Sequence, residues 1–224
     1  MPDAAPPFPY SVRRSDRARR VRVRVDPREG AVEVVLPRRA AQREAAAAVA
    51  QLRPWIERRL AEVAAARARV AARDGNVPYL GRELQVHAEA GRTRVHRRGD
   101  VLLVPGEPVA ARDALERWYR RQAKAEIAPR LDAAAAAVGR SYTSLTIRDQ
   151  RTRWGSCSAR GGMSFNWRLL LAPEAVLEYV IRHEVAHLVV MDHSPRFWAV
   201  MERLMPSYEL PRRWLREHGA TLVL

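Results

Sequence analysis

The segment IRHEVAHLVVMDHSPRFW, residues 181–198, sets three histidines around one glutamate in an otherwise apolar stretch. Imidazole nitrogens are common zinc ligands, and a carboxylate beside them can serve as a general base. His183 and His187 are four residues apart, so on a helix their rings lie on one face, a turn from each other, and can bind one ion. Val176 and Val180 continue that face toward the N-terminus, which puts the ion at the end of an apolar stripe. Glu184 is rotated by about 100° from His183. That offset suits a carboxylate that does not ligate but reaches a water on the metal, which is the mechanical content of the H-E-x-x-H pattern. Zinc lowers the pKa of such a water to about 7. A carboxylate placed like Glu184 can take that water's proton.

Two ligands leave a catalytic zinc short, since such sites use three protein groups and a water. His193 is the obvious third. On an unbroken helix it would lie about 9 Å farther along the axis than His187 and off its face, so the chain must turn between Leu188 and His193. Asp192 tolerates a left-handed conformation, and Ser194 followed by Pro195 caps a fresh helix carrying Phe197, Trp198, Met201 and Leu204. The competing account is an accidental grouping of core or surface histidines. His87, His96 and His218 lie outside the cluster and read as ordinary residues.

The elements that position this segment follow from periodicity. APEAVLEYVIRHEVAHLVV opens with Pro173 at a first helical position and is predicted to run to about Val190. Upstream, TSLTIRD and TRWGSCS read as strands, and ARGG turns into MSFNWRLLL. There Met163, Phe165, Trp167 and Leu169 share one face, predicted buried, opposite Ser164, Asn166 and Arg168. Ala110 to Val138 is a long helix with a kink at Pro129. ELQVHA through RTRV to VLLVP reads as a hairpin with RRGD at the last turn. Nearer the N-terminus, RVRVRVD alternates strictly and PREG turns it into AVEVVLP; a helix from Ala40 to about Arg73 follows, kinked or restarted at Pro54. DGNVP at 74–78 breaks the pattern.

At 224 residues, 47% of them apolar, the chain can bury a sizeable core as one large domain or two small ones. No apolar run approaches the roughly 20 residues of a membrane span, so a soluble protein without a membrane partner is expected. The Pro-rich start passes into arginines without the apolar region of a secretory signal, which argues against export. The single cysteine, Cys157, excludes an internal disulfide framework and points to a reducing cytoplasm. Forty basic residues against 25 acidic give a net charge of +15, the sign of a phosphate-rich partner such as nucleic acid. Only Lys124 is lysine, however, and a GC-rich coding bias produces the same arginine surplus on solvated faces. The densest cluster, Arg13, Arg14, Arg17, Arg19, Arg20, Arg22 and Arg24, comes with no nucleic-acid-binding signature.

RWGSCS at 153–158, NWRLLLAP at 166–173, YVIRHEVAHL at 179–188, DHSPRFW at 192–198 and RRWL at 212–215 together resemble the YgjP-like metallopeptidases, relatives of the SprT group within the zincins. VRRSDRARRVRVRVD and YLGREL extend the likeness over most of the chain. The resemblance implies zinc held by His183, His187 and His193, Glu184 as general base, a protein or peptide substrate, and an α+β fold with a twisted antiparallel or mixed sheet over the metal-binding helix. The expected organisation is a basic arm, hairpin and helix at 1–74, a second hairpin as connector at 75–109, and a zincin-like catalytic domain at 110–224. The histidine spacing also matches the metzincins, but their turn glycine is Val190 here and no Met-turn is evident, although Met205 precedes a proline. Asp192 stands where the YgjP-like pattern usually has Asn.

The developing oxyanion needs an electrophile besides zinc, and Arg153, Asn166 and Arg168 are candidates for this substrate-binding role. In zincins an edge strand pairs with the extended peptide, and MSFNWRLLL is the expected one. Cys157 reads as a buried small hydrophobe rather than a ligand, and Trp154, Trp167 and Trp198 as core rather than cleft. Two alternatives stay open: a metal-dependent hydrolase of nucleotide phosphoanhydride bonds, for which no Gly-rich phosphate loop is present, and a nucleic-acid-associated protease. Oligomeric state is not legible.

Overall fold

The computed structural model describes residues 7–26, 29–150 and 152–224. Most of the Pro-rich start, and Pro27 and Arg28 of the expected PREG turn, lie outside these. The chain divides into two compact units, up to Ala72 and from Arg73 onward.

In the first unit, β1 (Tyr10–Ser15), β2 (Arg22–Val25) and β3 (Val32–Pro37) form a sheet in the order β1-β3-β2. β1 lies parallel and β2 antiparallel to β3. The period-two pattern sends Val32, Val34 and Leu36 inward against Ala45, Val49 and Ile56 of α1 (Arg43–Ala71). Pro54 does not restart that helix. Pro54 and Ala50 are both exposed, so the carbonyl that loses its helical donor faces solvent.

The second unit contains β4 (Asn76–Tyr79), β5 (Arg82–Glu89), β6 (His96–Arg98) and β7 (Val101–Pro105), paired in the order β4-β5-β7-β6. β5 runs parallel to β7, which corrects the expected ELQVHA–VLLVP hairpin. The true hairpins are β4–β5, turning at Leu80 and Gly81 with φ of 52° and 85°, and β6–β7. β6 is only three polar residues, HRR, too short to show a strand period.

α2 (Pro108–Ala137), unbroken at Pro129, buries Leu115, Trp118, Tyr119, Ile127 and Leu131 at helical spacing. Arg130 ties it to α3 (Glu174–Ala186) through Glu174, with N···O 2.5 Å, and Glu178, 3.0 Å. β8 (Ser144–Arg148), β9 (Gly155–Cys157) and β10 (Gly162–Asn166) form the sheet that meets α3, in the order β8-β10-β9. β10 is therefore central, not an edge. The alternation expected through MSFNWRLLL also fails. Residues 163–172 are all buried, Asn166 at 2% and Arg168 at 9% exposure included, because the strand ends at Asn166 and a 3-10 turn (Trp167–Leu171) follows. Asn166 Oδ1 accepts the Arg168 N–H at that junction.

α4 (Pro195–Leu204) and α5 (Glu209–His218) complete an α+β fold. No described helix is long and apolar enough to cross a membrane.

Candidate metal centre

α3 places the first two histidines. Val176, Leu177, Val180, Ile181 and Val185 bury its inner face, which fixes the helix's rotation. The helix ends at Ala186 with His187 as its C-cap, four residues short of the expected Val190. Leu188, Val189 and Val190 donate back to Val185 and Ala186, tightening the end, and His187 Nδ1 lies 3.1 Å from the Val190 carbonyl. The turn to His193 does not use a left-handed Asp192; among the described residues, positive φ outside glycine occurs at Asp74 and Leu80. Instead the Asp192 carboxylate accepts the Ser194 N–H at 2.9 Å. Ser194 sits at the N-cap of α4 without a side-chain cap bond.

The three histidines each offer a ring nitrogen within 4.8 Å of the others, and the Nε2 atoms of His183 and His193 are 3.1 Å apart. Two nitrogens each about 2 Å from a tetrahedral ion would stand about 3.3 Å apart; the His183–His193 pair matches that spacing, and three imidazoles are a donor set that suits zinc. Fully buried Phe197 packs against all three rings, with centroids 4.9, 4.6 and 4.7 Å from those of His183, His187 and His193. Burial, and then the neighbouring His187, His193 and Arg212, push His183 down to about 3, which keeps its imidazole in the neutral form a metal requires. Burial also lowers His187, offset in part by the Val190 carbonyl. His183 Nδ1 is buried without a hydrogen-bond partner among the described residues.

Glu184, 6% exposed, is pushed up to about 7 by burial. The Cys157 N–H donates to its carboxylate, and the Arg153 charge also favours the ionised form. β9 presses on this side chain so closely that a Cβ on Gly155 would lie 2.7 Å from both Cγ and Oε1 of Glu184. Gly155 is a site residue missed from sequence, because it is required by a close approach across 29 positions rather than by a turn.

Of the three expected electrophiles, Arg153 is exposed and near enough for its charge to act on Glu184. Asn166 is committed to the fold: its amide donates to the Gln150 carbonyl at 2.8 Å and the Arg153 carbonyl at 3.4 Å. Buried Arg168 bonds Asp149 at 3.0 Å and the Leu222 carbonyl at 3.2 Å, and stacks on Trp167. Both are buried and make their hydrogen bonds within the fold, as buried polar groups must. Cys157 is half-buried against the core, its thiol pushed up by burial and by Glu184. Trp167 is wholly buried and Trp154 packs beside Gly219. Trp198 is half-buried beside the centre, its ring 6.3 Å from that of His183 and 6.1 Å from that of His193.

The family model described as the YgjP-like metallopeptidase domain matches residues 19–218. No curated protein matches the chain. Among solved structures, the metallopeptidase zymogen of Pyrococcus abyssi, abylysin, is similar at 22% identity, covering 42% of this chain and 95% of that one, with a TM-score of 0.38.

Proposed function

This chain belongs to the YgjP-like metallopeptidase family, and from that premise we propose that it is a zinc peptidase whose ion is held by His183, His187 and His193 and whose general base is Glu184. The observation that carries the reading is the convergence of three imidazole nitrogens within 4.8 Å, one residue from a buried carboxylate. Zinc, when bound, supplies Lewis acidity that activates water and polarises a carbonyl.

The chain's own groups do the rest. Glu184 accepts a proton from the attacking water as the new C–O bond forms, and returns it to the amine nitrogen as the C–N bond breaks. Burial raises its pKa to about 7, so near neutrality both its ionised and its protonated forms are populated, which suits taking the proton and returning it. The Cys157 N–H and the glycine at 155 fix the carboxylate's position. β9 is the strand suited to pair with an extended substrate. Trp154, Ser156 and Ser158 bond to β10, so Gly155 and Cys157 direct their backbone groups the other way; the Cys157 N–H goes to Glu184, and the Gly155 groups and the Cys157 carbonyl are the ones suited to a substrate.

The test is to incubate the zinc-loaded protein and its Glu184→Gln variant with fluorescently labelled unfolded proteins and with nucleoside triphosphates. The expected outcome is consumption of the protein pool by wild type alone, with equal zinc in both. Turnover of triphosphates instead, or undiminished proteolysis by the variant, would overturn the proposal.

A further inference from the structure

With the polar groups of Asn166 and Arg168 bonded within the fold, two exposed arginines remain as candidates for the electrophile facing the scissile carbonyl, Arg153 and Arg212. We infer that it is Arg212, an exposed arginine on α5 held by Trp198, which donates to the substrate's carbonyl oxygen as that oxygen becomes negatively charged. The inference rests on the peptidase reading and deepens it.

The geometry runs outward from the histidines. Trp198 stands beside His183 and His193. The Arg212 guanidinium carbon lies 4.4 Å from the centroid of that indole ring. Tyr208, one turn earlier, stacks on the same indole at 5.4 Å. Buried Pro211 and Leu215 seat the helix, and the Arg212 N–H is fixed by the Tyr208 carbonyl at 3.1 Å.

The contact matters because a guanidinium held over an indole face is attracted through its charge and needs none of its N–H donors for that contact. Around α3 the other placed arginines spend theirs: Arg130 and Arg182 on glutamates, Arg168 on Asp149. Arg212 makes no ion pair with any described carboxylate, so its donors are available to a ligand. Position favours Arg212 over Arg153: through Trp198 it stands on the side of the centre occupied by His183 and His193. In the reacting step the water oxygen bonds the carbonyl carbon, the carbonyl π pair moves to its oxygen, and the Arg212 N–H groups hydrogen-bond that oxygen until C–N cleavage restores the carbonyl. A positioned donor of this kind is worth about 100-fold in kcat.

Arg212→Ala and Arg212→Lys, both zinc-loaded, are compared with wild type for kcat and KM on a labelled unfolded protein. Calorimetry measures binding of two probes: N-phosphoryl-Leu-Trp, which presents tetrahedral oxyanions, and Leu-Trp amide, which does not. Arg212→Ala is expected to lose about 100-fold in kcat with KM within about threefold, to lose the phosphoryl probe selectively, and to keep its zinc; Arg212→Lys falls between. Wild-type kcat in Arg212→Ala, or equal weakening of both probes, would overturn the role of Arg212 while leaving the peptidase intact. A wild type that neither cleaves protein nor binds the phosphoryl probe would overturn both together.

Discussion

Gly155 shows how much of the centre depends on a missing methyl group. It stands opposite Phe165 in the sheet and lies against the Glu184 side chain. A Cβ there cannot be relieved cheaply: it contacts Cγ as well as Oε1, and Glu184 is too buried to swing outward. Gly155→Ala is therefore expected to displace the general base while leaving the histidines in place. Turnover should fall by about 100-fold or more, within the range for loss of a positioned acid–base group, and metal analysis should still return one zinc per chain. Undiminished turnover would mean that β9 has more room than this contact allows. Spacing alone exposes His183, Glu184 and His187, because a helix writes its geometry into intervals of one and four. It could not expose Gly155, whose requirement comes from a side chain 29 residues away, nor single out Arg212 among arginines so abundant.

Helix α4 does more than follow the turn that carries the third histidine. Phe197, one turn after His193, is the common floor of the three imidazoles, and it is fully buried. Phe197→Ala should cost about 3–5 kcal/mol in urea unfolding and weaken zinc affinity by about 10–100-fold, since ring orientation here comes from packing. Loss of stability with undiminished zinc affinity would show that the histidines hold their own geometry. Elements of this kind were partly legible. α3 and α4 announce themselves through local periodicity and Pro173 and Pro195, and the turn between them is demanded by His193. Strand partners were not, because pairing is decided by distant segments: β10, expected at an edge, lies in the middle of its sheet, and β9, three residues long, is one of the two edges. Period-two reasoning also misjudged residues 164–168, where polar side chains are buried because Asn166 and Arg168 find partners inside.

On the scale of the whole molecule, enclosing this centre sets two groups with opposite proton preferences in one fold. Glu184 rises from 4.5 to about 7, so the folded chain keeps a proton that the unfolded chain releases. Its contribution to stability is complete below pH 4.5 and lost as pH rises toward 7. His183 falls from 6.5 to about 3, so the unfolded chain takes a proton that the folded chain refuses. Its contribution is complete above pH 6.5 and lost as pH falls toward 3, and His187 acts in the same direction. Between pH 4.5 and 6.5 the two slopes oppose each other. Metal-free wild type should accordingly show a shallow dependence of unfolding free energy on pH across that window. Glu184→Gln removes the falling component, so its metal-free form should gain stability with pH more steeply than wild type does. Urea midpoints measured at intervals from pH 4.5 to 6.5 on both chelated proteins decide it, and parallel profiles would show that burial does not hold the proton on Glu184.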